Sequence, residues 1–304
     1  MITFIFEGSE KQRLDHFLTE QLPQTRSQIQ KLIRYGLVTV NEQVIEVHHW
    51  LRNGDVVNLM KESKNKSAEN ITVDPIVIYE DDEVIVLEKP SGLLVHPTEG
   101  HESDTLIDWA LSHYPELKTF DETRRSGLMH RLDRDVSGLI IMAKTVASFD
   151  NLKRQFQERT IEKYYQALVH GVVSQEEAEI NTPLARDSKT GLTKAHSALQ
   201  DHIETREAIT RYEVLQRFHS TTLLKIKLIT GRTHQIRVHL QSIGHSLVGD
   251  HLYQTKDIRK SKKEYLARPF LHAYHISWMD LKGEQQGVES KLPLDLQIYL
   301  DQQK

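Results

Sequence analysis

Apolar residues recur at two different steps along this chain, and the change of step divides it into segments. Leu14, Phe17, Leu18 and Leu22 follow the three-and-four step of one helix face. "TRSQIQKLIRYG", residues 25–36, restarts that step with Ile29, Leu32 and Ile33 as its stripe. Ser27 and Gln30 form a candidate capping box there, and Gly36 a stop. "LVTVNEQVI" and "DVVNLM" then shorten to the alternation of strands, with Asn53-Gly54 as a turn. Residues 12–59 are thus expected to form a small module of two helices and short strands. On spacing alone, Arg26, Lys31 and Arg34 read as the solvated face of its second helix.

"KESKNKSAEN", residues 61–70, has almost no apolar side chain and predicts a linker. The expected division is 1–62 for the module, 63–73 for the linker and 74–304 for a second domain. "IVIYEDDEVIVLEKPSGLLVHP" predicts strand, acidic turn and strand, broken at Lys89-Pro90 and Gly92. "DTLIDWALSHY" and "ASFDNLKRQFQER" predict helices, the latter capped by Thr145. In "TIEKYYQALVHG" Ile161, Tyr165, Ala167 and Val169 share a face. In "TTLLKIKLITG" Leu224, Ile226 and Leu228 oppose Lys225 and Lys227. Strands and helices do not alternate regularly, so the expectation is α+β, with a mixed, largely antiparallel sheet and a central cleft, not a parallel α/β sheet.

Composition narrows the classes. With 38% hydrophobic and 27% charged residues in 304, the chain can build a sizeable core. A formal net charge of −4 leaves nucleic-acid binding to local segregation of charge. Residues 1–60 make the same point, with six Lys/Arg (11, 13, 26, 31, 34 and 52) against seven Asp/Glu. The chain has no cysteine, which removes thiolate nucleophiles, disulfides and cysteine-ligated zinc. "MITFIFEGSE" lacks the basic start of a signal peptide, and no apolar run reaches the roughly 20 residues of a membrane span. A soluble, monomeric, cytoplasmic protein is expected.

The candidate chemistry lies in two stretches. "HRLDRDVSGLIIMAKT", residues 130–145, sets Arg131, Asp133, Arg134 and Asp135 at the mouth of an apolar strand. The carboxylate of an isolated R-x-D is open to four readings: ion pair, metal ligand, general base or nucleophile. "GRTHQIRVHL", residues 231–240, predicts a helix capped by Thr233 with Ile236 and Leu240 buried. Arg232, His234, Gln235 and Arg237 then lie at its start, where backbone N–H groups and cations meet anions. His234 and His239 stand five apart, the wrong step for two metal ligands on one helix face.

The first module resembles the S4 RNA-binding domain through "RLDHFL", "TRSQIQKLIRYGLVTVN" and "GDVV". That resemblance implies that its helix pair, with Arg26, Lys31 and Arg34, holds structured RNA. The second domain resembles the catalytic domain of the RluA family of pseudouridine synthases. Six motifs occur in the family's order: "EKPSGLLVHPT", "HRLDRDVSGLIIMAKT", "EKYYQALVHG", "GRTHQIRVHL", "VGDHLY" and "RPFLHA". With the S4-like module, the match narrows to the RluC and RluD type, which acts on large-subunit ribosomal RNA. The chain departs from that pattern at Val136, where the family usually has Thr.

The resemblance implies isomerisation of uridine to pseudouridine in RNA, without cofactor or metal. Asp133 would be the essential carboxylate, Tyr165 would pack on the uracil, and Arg237 would pair with Asp133. His130 and Arg131 would open the RNA and hold the flipped nucleotide, and Arg232, His234 and Gln235 would bind RNA beside them. A partly dry pocket disfavours a charged carboxylate and an adjacent arginine favours it, so this pairing suits the reaction. Three alternatives remain open: a non-catalytic RNA-binding protein on the same fold, a metal-dependent phosphodiesterase, and a synthase acting on transfer RNA.

Overall fold

Leu14, Phe17 and Leu18 turn inward from one short helix, Leu14–Gln21 (α1), and pack with Ile29, Ile33 and Val57. Phe6 meets Phe17 edge to face at 5.3 Å. Around this core run β1 (Ile2–Ile5), β2 (Gln12–Arg13), β3 (Val38–Val40), β4 (Gln43–Val44), β5 (Trp50–Leu51) and β6 (Val56–Leu59). They form an antiparallel sheet in the order β1-β6-β3-β4 and a separate β2-β5 ribbon. This is one compact unit, Met1–Ile71; the other is Thr72–Lys304. The computed structural model describes residues 2–8, 11–22, 26, 29–30, 33, 38–45, 48–59, 74–98, 103–120, 126–187, 190–196, 204–261 and 266–303. Ser27, Lys31, Leu32, Arg34, Gly36 and the expected linker at 63–73 lie outside the described residues. Gln30 is described, and its side-chain amide donates to Asp15 at 2.7 Å.

The second unit is built on a sheet of nine strands: β7 (Ile76–Glu80), β8 (Val84–Lys89), β9 (Ser137–Ala143), β10 (Glu162–His170), β11 (Glu177–Asn181), β14 (Ile209–Arg217), β15 (Thr221–Leu228), β16 (Leu271–Met279) and β17 (Gln285–Glu289). A small hairpin, β12 (Leu184–Arg186) with β13 (Thr193–Ala195), stands apart from it. The order is β11-β14-β15-β10-β16-β9-β8-β7, with β17 also on β16. Among the described residues the pairings are antiparallel except one. β9 and β16 run parallel over two pairs, His272 with Ser137 and Ala273 with Gly138. All seven residues of β9 are buried, so this central strand is covered on both faces.

The helices are α2 (Leu106–His113), α3 (Val146–Glu158), α4 (Gln235–Ser242), α5 (Lys256–Ser261) and α6 (Leu294–Asp301). Thr105 and Thr145 both cap their helices through reciprocal capping boxes, with Asp108 and Ser148 as partners. The fold is α+β with a largely antiparallel sheet. No described helix is long and apolar enough to cross a membrane.

Behind the β9–β16 junction His272 is fully buried, with Nδ1 3.0 Å from Ser137 Oγ and Nε2 3.1 Å from Ser290 Oγ. Burial, aided by nearby Arg268, pulls its pKa from 6.5 down to about 4. Between those values the unfolded chain binds the proton and the folded one does not, so stability falls as pH drops through this window. His170, with burial pulling it to about 4 as well, acts in the same direction. His272→Gln should therefore show a shallower loss of urea-unfolding free energy between about pH 6.5 and pH 4 than the parent chain. Equal slopes would mean that His272 is not a neutral buried group.

Candidate active site

Asp133 sits in the short loop before β9, and four residues fix that loop. Val136 N–H donates to the Asp133 carbonyl at 3.2 Å, and the Val136 side chain enters the core, 2% exposed. Lys89, at the end of β8, is fully buried. Its Nζ donates to the carbonyls of Pro90, Leu93 and Arg134 at 2.8, 2.9 and 2.9 Å. Three acceptors use all three N–H bonds of an ammonium. Burial pulls the Lys89 pKa down to about 7, while Asp135 and then Asp133 pull the other way. Gly92 N–H also donates to the Arg134 carbonyl, and Ser91 Oγ to that of Asp135. The "EKPSG" turn is thus a brace under the Asp133 loop.

From the other side α4 brings Arg237. Its Nη1 donates to Asp133 Oδ2 at 3.0 Å, across 104 residues of sequence. Its Nε and Nη2 donate to Asp250 at 2.7 and 3.0 Å. The Asp250 side chain is fully buried and also accepts the backbone N–H groups of Leu252 and Tyr253. Burial opposes the charge on Arg237, but Asp250 and then Asp133 outweigh it and hold the guanidinium above its ordinary range. The fork of Arg237 thus belongs to Asp250, and Asp133 receives a single hydrogen bond from it. The Asp133 carboxylate, 19% exposed, keeps its other oxygen free of this arginine.

Sequence reasoning missed Asp250 and Lys89. "VGDHLY" places Asp250 where a surface turn is the ordinary reading, and a lysine before proline reads as a solvated strand end. In Asp250→Asn the Arg237 fork would lose its carboxylate and lie free to turn both its prongs toward Asp133. Turnover should fall by about 10- to 100-fold, the scale at which a supporting group orients a first one. The substrate concentration at half-saturation should stay within about two-fold. Steady-state kinetics read both; an unchanged kcat would remove Asp250 from any positioning role.

The expected helix start needs a correction. The residue at the N-cap of α4 is His234, in the left-handed region at φ 57, and no side chain caps it. Thr233 does not cap. Gln235, 2% exposed, closes the turn instead: its Oε1 accepts from Thr230 Oγ1 and Arg232 N–H, and its Nε2 contacts Ile209 O and Thr210 Oγ1. Its amide is spent within the protein, so it shapes the turn and does not reach outward. Ile236 and Leu240 are buried as expected.

The left-handed turn points His234 back at the loop. Tyr253 Oη accepts the Thr193 N–H and lies 2.8 Å from His234 Nδ1. With Nδ1 accepting the tyrosine proton, Nε2 carries the imidazole N–H, 3.8 Å from Asp133 Oδ2. Burial lowers the His234 pKa, against Asp133.

A cavity of about 560 Å³ opens over Asp133, lined also by His130, Arg131, Lys163, Tyr165 and Arg232. Tyr165, on β10, is 4% exposed; burial, then Asp133, push its phenol well above the usual range, so it stays a neutral ring. His130 Nε2 accepts the Ile141 N–H at 3.0 Å, and burial, then Lys163, push its pKa down to about 3. It is a neutral wall, not a cation. Burial lowers Lys163 to about 8. Arg131 is exposed at the rim, and Arg232 donates to the Glu207 carbonyl at 3.1 Å. A second depression shares Arg131, Arg232 and His234 and runs to the β12–β13 hairpin, past Arg186 and Arg206. Arg26 is in the other unit, paired with Asp15 at 2.9 Å and 46% exposed. Among the described residues no cluster of three or more His, Asp or Glu side chains could hold a metal ion.

Comparisons with known proteins fit this geometry. The family model "RNA pseudouridylate synthase" matches residues 83–242, and the "S4 domain" model matches 12–57. The chain is 41% identical to an "Uncharacterized RNA pseudouridine synthase" of Aquifex aeolicus, over 96% of this chain and 94% of that one. It is 34% identical to "Ribosomal large subunit pseudouridine synthase D" of Pseudomonas aeruginosa, over 93% and 89%. Human RNA pseudouridylate synthase domain containing 4 shares the fold, with a TM-score of 0.58 at 22% identity over 74% of this chain and 91% of that one. The chain, with an S4 domain at its N-terminus, therefore belongs to the RNA pseudouridylate synthase family, whose members are isomerases.

Proposed function

We propose that this protein converts uridines of large-subunit ribosomal RNA to pseudouridine, with Asp133 as the essential carboxylate and no cofactor. The observation that carries the reading is the Asp133–Arg237 pair at the floor of a cavity walled by Tyr165. The reaction breaks the N1–C1′ bond, turns the uracil and joins C5 to C1′. It is redox-neutral: C5 loses its proton as C5–C1′ replaces N1–C1′, and N1 takes up one proton, directly or through water. A carboxylate with one oxygen free of its arginine suits attack on the nucleotide or removal of a ribose proton.

The nucleotide must leave its stack to reach that oxygen. Tyr165, kept neutral by burial, offers a ring face for the uracil. Arg131 and Arg232 stand at the rim, where phosphates of the opened strand would pass. His130 shapes the wall, and His234 directs an N–H toward the same space. The N-terminal unit, with Arg26, holds the RNA. Several relatives are named as large-subunit synthases, and the S4 domain is compatible with a ribosomal substrate.

The test is to map pseudouridines in ribosomal and transfer RNA from cells with and without this protein, then repeat the conversion with purified protein on the RNA segment that changes. Loss of one or a few large-subunit sites, restored in vitro, is the expected result. Loss confined to transfer RNA would replace the substrate assignment, and no change in either RNA would overturn the activity.

A further inference from the structure

The first unit carries a group of side chains that isomerisation does not use. Arg13 and Trp50 are directly opposite each other in the β2–β5 ribbon, so their side chains leave it on the same face. Leu51, on the other face, is fully buried, whereas Trp50 is 55% exposed. The chain has three tryptophans. Trp278 is in the core, and Trp109 stacks on His113 at 4.1 Å; Trp50 alone of the three is presented to solvent.

Next to it, Asp15 organises two arginines. Its side chain is fully buried and accepts from Arg13 Nε and Nη2 at 3.1 and 3.0 Å, from Arg26 Nε at 2.9 Å and from Gln30 at 2.7 Å. Burial opposes the Asp15 charge, but Gln30, Arg26 and Arg13 outweigh it and hold the carboxyl far below its usual range. One buried anion therefore fixes two cations, and this group of three carries one net positive charge. Arg26 is 46% exposed, and its terminal nitrogens make no bond among the described residues. Arg13 Nη2 lies 2.9 Å from His48 Nδ1. Arginine can only donate, so Nδ1 accepts and the exposed His48 holds its proton on Nε2.

We propose that Trp50, Arg13, Arg26 and His48 form a site for an unpaired RNA nucleotide, its base stacked on the indole and its flanking phosphates on the two guanidinium groups. The inference rests on the reading of this protein as an RNA enzyme and specifies what its first unit holds: one unpaired nucleotide. Base–aromatic stacking needs a bare base face, which a continuous A-form duplex does not offer. Phosphates suit paired, pre-oriented guanidinium groups. A protein partner would be expected to meet a wider apolar patch, whereas a single aromatic among cations fits a nucleotide. The occupant is thus a looped-out or single-stranded residue.

The experiment uses the full chain, a hairpin RNA with an unpaired loop, and the same stem as an uninterrupted duplex. The hairpin should quench tryptophan fluorescence and the duplex should not. Trp50→Ala should bind the hairpin about ten-fold or more weakly, with the duplex affinity, the salt slope and the melting temperature unchanged; Trp50→Phe should recover most of the loss. Arg26→Ala should weaken both RNAs and flatten the slope of log affinity against log salt by roughly 0.7 per lost contact. Asp15 keeps Arg13 and Gln30 in that variant, so the unit should stay folded. Hairpin binding by Trp50→Ala equal to wild type would overturn the site, as would equal loss on hairpin and duplex. A protein partner lost on Trp50→Ala while hairpin affinity holds would also overturn it. Failure of the wild-type chain to bind either RNA would overturn the RNA reading itself, and this site with it.

Discussion

Asp133→Asn should abolish pseudouridine formation while leaving a folded protein that still binds RNA. The amide is nearly isosteric, and Arg237 retains its two bonds to Asp250, so the cavity keeps its floor. The loop keeps its brace, because Lys89 and Gly92 hold the Arg134 carbonyl and not the Asp133 side chain. What disappears is the anion to which the proposed chemistry is assigned. Loss of a group that acts in a covalent or proton-transfer step removes at least about a thousand-fold in rate. The lost hydrogen bond to a partly exposed carboxylate should cost only about 1 kcal/mol of stability. Single-turnover conversion of a tritiated uridine substrate, with RNA affinity measured alongside, checks both halves. Conversion by Asp133→Asn within ten-fold of wild type would remove Asp133 from the chemistry.

Gly138→Ala should unfold or severely weaken the second unit. Gly138 has φ +127, a region that side chains rarely enter, and a Cβ there would lie 2.3 Å from the Ala273 carbonyl oxygen and 2.5 Å from its nitrogen. Neither is the end of a flexible side chain. Both belong to β16 at its parallel pairing with β9, and Gly138 is also paired with Lys89 of β8. Three strands meet at this residue, so relief by shifting one of them disturbs the others. Strained backbone and overpacking together suggest about 2–6 kcal/mol, a large part of the stability of an ordinary domain. Urea unfolding should show this loss. An equally stable Gly138→Ala protein would mean that the junction is looser than described.

How much of this was legible in the residues depends on the range of the interaction. The cap at Thr145 completes itself within three residues and was readable as a helix start; the helix after Thr105 was readable without its cap. The alternations around Tyr165 and Leu224 that became β10 and β15 were also readable. The apolar run "LIIMA", residues 139–143 of β9, was readable as a buried strand. Its partner β16 was not, because the choice of neighbour is made 135 residues later, where His272 meets Ser137. At the site, Asp133 and Arg237 came from ordered motifs and not from any spacing. Lys89 and Asp250 were missed for one reason: a charged side chain reads as solvent-facing unless its distant partners are visible. For Lys89 two carbonyls, of Pro90 and Leu93, are local, but the third, of Arg134, lies 45 residues away, and Arg237 lies 13 residues from Asp250. The left-handed His234 replaced the expected Thr233 cap because Gln235, through Thr230 and Thr210, satisfies the turn from below. Gln235 looked like an RNA contact for the same reason that Lys89 looked like a surface lysine.

The two parallel pairs between β9 and β16 also set an order of events during synthesis. Contacts between residues far apart in sequence must await loop closure and slow the search for the native state. β7, β8 and β9 can form their meander as they leave the ribosome, but the floor under Asp133 is finished only when residues 268–273 arrive, and Ser290 then reaches back across 202 residues to Glu88. A nascent chain that has displayed every residue of the candidate site through Asp250 still lacks the strand that holds the loop in place. Until residues 268–273 have emerged, the newborn protein would present the β9 edge unpaired, a template for wrong strand partners, and the Asp133 loop would lack its floor.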